Sequence, residues 1–428
     1  MPRALRDWRV RVFGATWLSY VGFYFCRKPF SVAKSAIGHE GGFDATTLGN
    51  IWAAYLIAYA AGQFLAGGLG TRFGPRVNVL AGMAVSIGAT LCMGVTLSVP
   101  VLAGLVAVNG LAQATGWSGN VGTMASWFHK RERGKIMGIW STNFTVGALS
   151  STAILGWVLG RHEPGEPDPW RDTLIVGAAV LAVIWVVFYF YQRNRPEDLG
   201  LPPPEQFASD DLREREVLES RATGLTRLSR EAWTNLLLIA GFYFFAKLVR
   251  YAIWSWSAFF LERNYGLTGR DANLYSIAFD LAGFVGVFVT GWLSDKYFGS
   301  RRAGISLIMV LGMVASCGLL MVFGGTSVGL FTALLVCVGF TLYGPDALLS
   351  GAGAIDVGTK RAALFTAATI SGIGSMGPVV QEVIIGRLYD QKGGDLGPIF
   401  AMLFGSASMA ALFCFALVWR NRQGGNGV

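Results

Sequence analysis

The chain has 428 residues, 53% of them hydrophobic and only 14% charged, with a mean hydropathy of +0.47. A water-soluble fold carries about 25% charge, so burying this much apolar surface requires a bilayer as part of the solvent. The formal net charge of +9 is therefore first a matter of membrane topology, not a nucleic-acid footprint.

Taken in order, twelve runs are long and apolar enough to cross a bilayer. They lie near residues 12–37, 48–70, 77–97, 100–127, 135–160, 172–192, 233–261, 272–294, 303–324, 327–352, 362–388 and 397–419. The arginine-rich start, MPRALRDWRVRVF, runs straight into a full-length span and does not read as a cleaved leader. The 57 glycines, about twice the usual share, suit closely packed membrane helices. Cys26, Cys92, Cys317, Cys337 and Cys414 stand singly, and His39, His129 and His162 fall in polar connections. No disulfide frame, metal site or cofactor site is expected.

The longest polar interruption, 193–232, divides the spans into two groups of six. The expected organisation is an all-α membrane protein of two pseudo-symmetric six-helix bundles, 1–192 and 233–428. They are parallel repeats about the membrane normal, joined by a charged, proline-rich tether with an amphipathic stretch at 211–222.

With the N-terminus in the cytoplasm, 24 of the 35 Lys and Arg fall on the cytoplasmic side and six on the other. The positive-inside rule thus places both termini in the cytoplasm. The remaining five, Arg27, Lys28, Lys34, Lys247 and Arg250, lie inside the first and seventh spans, the opening span of each half.

Tyr20, Tyr24, Arg27, Ser31 and Lys34 share one helical face, as do Tyr243, Lys247, Arg250, Trp254 and Ser257. FYF precedes the cations in both stripes. Lys28 is about 100° off its stripe, and Pro29 is expected to kink the first span just past Arg27.

A charge within the bilayer costs at least about 2.5–3.5 kcal/mol on insertion scales. Structural pairing is one account: Asp280, Asp346, Asp356 and Glu382 are the available acids, and Lys34 is near enough to the outer interface to snorkel. The other account is a binding site. Two guanidinium forks, Arg27 and Arg250, would clamp an anion at the midplane, and Lys247 would suit a dianion. An empty site would leave cations facing a closing cavity, which favours exchange over net transport.

The chain also resembles a known family. GLGTRFGPR (68–76) and GWLSDKYFGSRR (291–302) resemble the paired cytoplasmic loop motif of the major facilitator superfamily, with Arg72, Arg76, Asp295, Arg301 and Arg302 at its gating positions. The first copy has Thr71 where an acid is usual. FYFCRKPFSVAK (23–34), the 109–140 stretch with Arg133, Gly134 and Trp140, RNRPEDLGLPP (193–203), LVRYAIWSW (248–256), FDLAGFVG (279–286) and LYGPDALLSGAGAID (342–356) are similar to the organophosphate:phosphate antiporters, closest to their sugar-phosphate exchanger branch.

The resemblance implies phosphate-binding roles for Arg27 and Arg250, with Lys28 as the second residue of the RK pair. It implies antiport of inorganic phosphate for an organic phosphate by alternating access, with no enzymatic chemistry. Phe144 and Ser255 stand where glycerol-3-phosphate transporters carry His and Asp, which argues against that ester. Tyr20, Tyr24, Trp117, Trp140, Asn143, Tyr243, Trp254 and Tyr343 are candidates to line the organic half of a pocket. Rival readings are a proton-coupled organic anion symporter, with Asp280 as the proton site, and a transporter-like sugar-phosphate sensor. A monomer in a bacterial inner membrane, with no nucleic-acid partner, is expected.

Overall fold

The computed structural model describes residues 2–128, 136–137, 139–161, 169–202, 230–297, 302–349 and 363–422. Among them are thirteen helices and no strand: α1 (Arg3–Val32), α2 (Lys34–Gly41), α3 (Ala45–Phe73), α4 (Pro75–Met93), α5 (Val99–Trp127), α6 (Thr142–Leu159), α7 (Trp170–Tyr191), α8 (Arg230–Arg263), α9 (Gly269–Tyr297), α10 (Arg302–Phe323), α11 (Val328–Ala347), α12 (Ala363–Gln391) and α13 (Gly397–Arg422). Twelve of them run for 18 residues or more, one for each expected span. Nine of the described helices are long and apolar enough to cross a membrane by length and composition alone. The other three long ones, α1, α3 and α12, run for 30, 29 and 29 residues. A short 3₁₀ turn, Pro196–Leu199, follows α7, and 203–229, with the expected amphipathic stretch, lies outside the described residues.

The chain forms two compact units, one of Met1–Ile37 and Ala54–Thr223, the other of Gly38–Ala53 and Gly224–Val428. Helix pairings recur between them. In the first unit α1 packs on α5, α6 and α7, and α4 packs on α5 and α7; in the second α8 packs on α11, α12 and α13, and α10 packs on α11 and α13. The second unit also takes in the start of α3. There Asp390 accepts from the Ala45 N–H (3.0 Å), the Thr46 N–H (2.6 Å) and the Thr46 hydroxyl (2.5 Å), satisfying the first free donors of the helix. Asp44 accepts from the Thr47 N–H at 2.8 Å, and its bonds to Thr47 hold its carboxyl below the usual range.

Helix α1 departs from its expected limits at both ends. It begins at Arg3 rather than near residue 12 because its first turns pack instead of fraying. Leu5 and Val12 join Met124, Trp127, Phe128 and Trp140 in one buried cluster. Arg3, Arg6 and Arg11 of this segment are exposed and Arg9 is half-buried; Arg9 lies 4.5 Å above the Phe128 ring and Arg11 5.2 Å above Trp8.

At the other end the helix runs through Pro29 and stops at Val32; Ala33 turns the chain (φ −101°, ψ 13°) before α2 begins. The break therefore comes beyond Pro29, and Lys34 sits on α2, not on one continuous stripe with Arg27.

Pro29 has no N–H to give the Phe25 carbonyl four residues back. Gly177 of α7 packs against that carbonyl, so close that a Cβ on Gly177 would clash with Phe25 O and stand 3.2 Å from the Pro29 ring. Only a residue without a side chain allows this approach. Gly177→Ala should therefore lower the detergent melting temperature, at a cost of about 1–3 kcal/mol. Gly88→Ala in α4, where nothing lies within 4 Å of the added carbon, should leave it unchanged or raise it.

Candidate functional site

In the first unit the site is built around Arg27, only 8% exposed. Its Nε–H donates to Gln113 Oε1 at 2.9 Å, and the Tyr55 hydroxyl donates to the same oxygen at 2.9 Å. Gln113 in turn donates from Nε2 to Asn109 Oδ1 (3.1 Å) and Ser86 Oγ (3.2 Å). Ser86 donates to Asn109 Oδ1 at 2.6 Å, and Asn109 Nδ2 donates to the Cys26 carbonyl at 2.8 Å. The chain of bonds thus returns to α1 one residue before Arg27.

Three tyrosine rings surround the guanidinium, with centroids 4.8 Å (Tyr24), 5.0 Å (Tyr59) and 6.0 Å (Tyr55) from Cζ. Every one of these partners is neutral. Arg27 has no carboxylate partner among the described residues, and its Nη2 is buried with no hydrogen-bond acceptor. A buried cation held in this way is oriented but not neutralised, and it attracts an anion.

The second unit is built differently. Arg250 Nη1 donates to Asp346 Oδ2 at 2.8 Å, and its Cζ lies 4.1 Å above the Tyr343 ring. The Tyr343 hydroxyl donates to Asp280 in a short bond. Lys247 lies 4.5 Å above the Tyr243 ring and donates to Ser375 Oγ at 3.4 Å. Here two cations stand among two carboxylates. Asp280, expected as a partner for Lys247 or as a proton site, bonds Tyr343; the acid on Arg250 is Asp346.

The other residues singled out divide by place. Tyr20, Trp117 and Trp140 form an aromatic cluster, with centroids 5.4 Å (Tyr20–Trp117), 5.4 Å (Trp117–Trp140) and 6.1 Å (Tyr20–Trp140) apart; Tyr24 stands 6.0 Å from Tyr20. Trp140 is fully buried and its indole N–H donates to Thr16 Oγ1 at 3.1 Å, an interior packing position. Asn143 is also fully buried, and neither atom of its amide has a hydrogen-bond partner.

Lys28 and Lys34 are both buried, Lys34 completely, so Lys34 does not snorkel as expected. Trp254 stands 5.9 Å from Tyr251, half-buried.

Of the gating positions, Arg76 donates through its backbone N–H to Asn194 Oδ1 (2.8 Å) and through Nη2 to the Tyr189 carbonyl (2.5 Å), and Arg72 lies 5.3 Å above Phe73. Gly74 between them has φ +83°, which favours glycine there. The side chains of Thr71, Asp295 and Arg302, and residues Arg133, Gly134, Arg301 and Asp356, lie outside the described set.

Gln113, Asn109, Ser86, Tyr55 and Tyr59 were not singled out from the sequence. A signal was present: Tyr55 and Tyr59, and Asn109 and Gln113, are i,i+4 pairs in apolar runs, each sharing one helix face. Gln113→Leu removes the acceptor shared by Arg27 and Tyr55. It should destabilise the detergent-purified protein by about 1–3 kcal/mol per buried group left unpaired, read as a fall in melting temperature.

Residues 13–347 match the Major Facilitator Superfamily. The chain is 27% identical over 98% of its length to a probable hexose phosphate transport protein of Chlamydia pneumoniae, covering 93% of that protein. It is 29% identical, over 98% of its length and 94% of the relative, to a glycerol-3-phosphate transporter of Bacillus subtilis. With the glucose-6-phosphate exchanger SLC37A2 of Bos taurus it shares 27% identity over 95% of its length and 93% of that protein. Its fold is similar to that of a bacterial homologue of the human lysosomal transporter Spinster in an inward-facing, unoccupied conformation, with a TM-score of 0.71 at 17% identity over 96% of each chain. Twelve long helices in two matched sets, together with a family match over most of the chain, make this an integral membrane transport protein of the major facilitator superfamily.

Proposed function

We propose that this protein exchanges inorganic phosphate for an organic phosphate ester, a sugar phosphate, by alternating access, and that Arg27 and Arg250 each hold the phosphoryl group. The observation that carries the reading is Arg27. Its guanidinium is buried, fixed at Nε by a neutral oxygen, ringed by tyrosines and left with an unused donor at Nη2. A guanidinium edge matches two phosphate oxygens, so a phosphoryl dianion supplies both the missing acceptor and the missing charge. The relatives named for hexose phosphate, glycerol-3-phosphate and glucose-6-phosphate support a phosphate ester as cargo.

A sugar rather than a glycerol ester is supported by Phe144 and Ser255, which cannot supply the ionisable groups found there in glycerol-3-phosphate transporters. Tyr20, Trp117 and the unpartnered amide of Asn143 offer a sugar an aromatic wall and a polar tip. Antiport follows from the same charge: an emptied Arg27 is a bare cation in a low-dielectric interior, and desolvating it opposes return of the empty carrier. The bundles 1–192 and 233–428, linked by 193–232, are the moving parts; the basic bias of the connections supports cytoplasmic termini, and the bacterial relatives support a bacterial inner membrane.

The test is uptake of labelled phosphate into proteoliposomes that contain unlabelled phosphate, with external sugar phosphates and glycerol 3-phosphate as competitors. Arg27→Lys and Arg250→Lys keep the charge but lose the fork. Each should reduce uptake about tenfold or more, the loss of one charge-assisted bond, and glucose 6-phosphate should compete better than glycerol 3-phosphate. Unchanged uptake in both variants would exclude the arginine reading.

A further inference from the structure

Two arginines occupy matching places in the repeats, on α1 and α8, yet their surroundings differ in one decisive respect. Arg27 is held by an amide oxygen. Arg250 is held by a carboxylate, Asp346 Oδ2 at 2.8 Å. The side chain of Arg250 remains 22% exposed while that of Asp346 is 6% exposed, so the cation is reachable and its counter-ion is not washed by solvent.

Asp346 follows Pro345 near the end of α11. Tyr343, one turn earlier on the same helix, fixes Arg250 from below and is itself anchored on Asp280. Helix α11 thus presents a prebuilt anion to the arginine that, in the reading above, binds phosphate. A carboxylate and a phosphate dianion compete for one guanidinium, because each accepts from the same donors and the two anions repel at contact distance.

We propose that Asp346 is an internal competitor for the substrate: it holds Arg250 when no anion is bound, and the phosphoryl group displaces it. This rests on the reading of Arg250 as a phosphate ligand. On this account Asp346 sets the affinity of Arg250 for the anion and keeps it low enough for release. It also makes the two arginines unequal. Arg27 attracts the anion continuously, whereas Arg250 engages it only by exchanging one negative partner for another. Asp346, on α11, therefore carries part of the specificity: a strongly charged phosphate dianion displaces it more readily than a singly charged carboxylate or phosphodiester does.

The experiment is equilibrium binding of inorganic phosphate to the purified full-length protein, with the melting temperature recorded with and without phosphate. Asp346→Asn, and Asp346→Ser as a second neutral variant, should bind phosphate about tenfold more tightly than the unaltered protein. Without phosphate they should melt lower, and phosphate should raise their melting temperature by more than it raises the parent's. Asp346→Glu, which keeps the competing charge, should stay within about threefold of the parent. Equal or weaker phosphate binding in either neutral variant would overturn the proposal and make Asp346 a structural support of Arg250. Absence of phosphate binding to the unaltered protein would instead overturn the function proposed above, and this inference with it.

Discussion

A guanidinium buried with no carboxylate partner among the described residues is the constraint on which the first unit depends. Arg27 is fixed through one nitrogen by Gln113, whose oxygen also takes the Tyr55 proton, and the bonds continue through Asn109 back to the carbonyl of Cys26. Three helices, α1, α4 and α5, and the early part of the first unit's share of α3, thereby converge on one side chain. Fixing a charge by neutral groups preserves its field. An acid at position 113 would have satisfied the same donors and removed the attraction for an outside anion. The tyrosine rings add attraction of the kind a cation makes with a π-face, again without cancelling the charge.

Close helix packing makes such a network possible. Gly82 meets the Ala112 carbonyl and the Thr115 hydroxyl of α5 at distances no side chain would permit, and Gly110 meets the Tyr55 carbonyl in the same way. These glycines bring α3, α4 and α5 near enough for the short side chains of Ser86, Asn109 and Gln113 to reach one another. The abundance of glycine is thus tied to the position of the cation, and the fold and the site are consequences of the same close approach.

Much of this was legible in the sequence. Each of the twelve expected spans meets a long helix, because hydrocarbon thickness sets a length that composition reveals. The five intramembrane cations stood out because the bilayer makes them costly. What stayed hidden depended on rotation and depth. The partners of Arg27 come from apolar spans in which the i,i+4 pairs Tyr55/Tyr59 and Asn109/Gln113 mark one helix face, but nothing in those spans alone tells that this face meets α1. The pairing of Arg250 with Asp346 rather than Asp280 depends on a register between α8 and α11 that neither span encodes alone. The early start of α1 was missed because four arginines mask Leu5 and Val12; at its other end the span was expected to run on to residue 37 with a kink at Pro29, whereas the helix passes through Pro29 and stops at Val32. Lys34 was expected near water and is completely buried, since α2 folds as a separate short helix.

The central claim is that an uncompensated Arg27 forbids the empty protein from changing state. The most direct test is efflux of labelled phosphate from loaded proteoliposomes into medium with and without external phosphate. The account predicts rapid efflux with phosphate outside and little without it. It also predicts that Gln113→Glu, which supplies the missing negative charge beside Arg27, raises efflux into phosphate-free medium. Equal efflux by the unaltered protein under both conditions would contradict it, for the bare cation would then be no barrier to the return of the empty carrier.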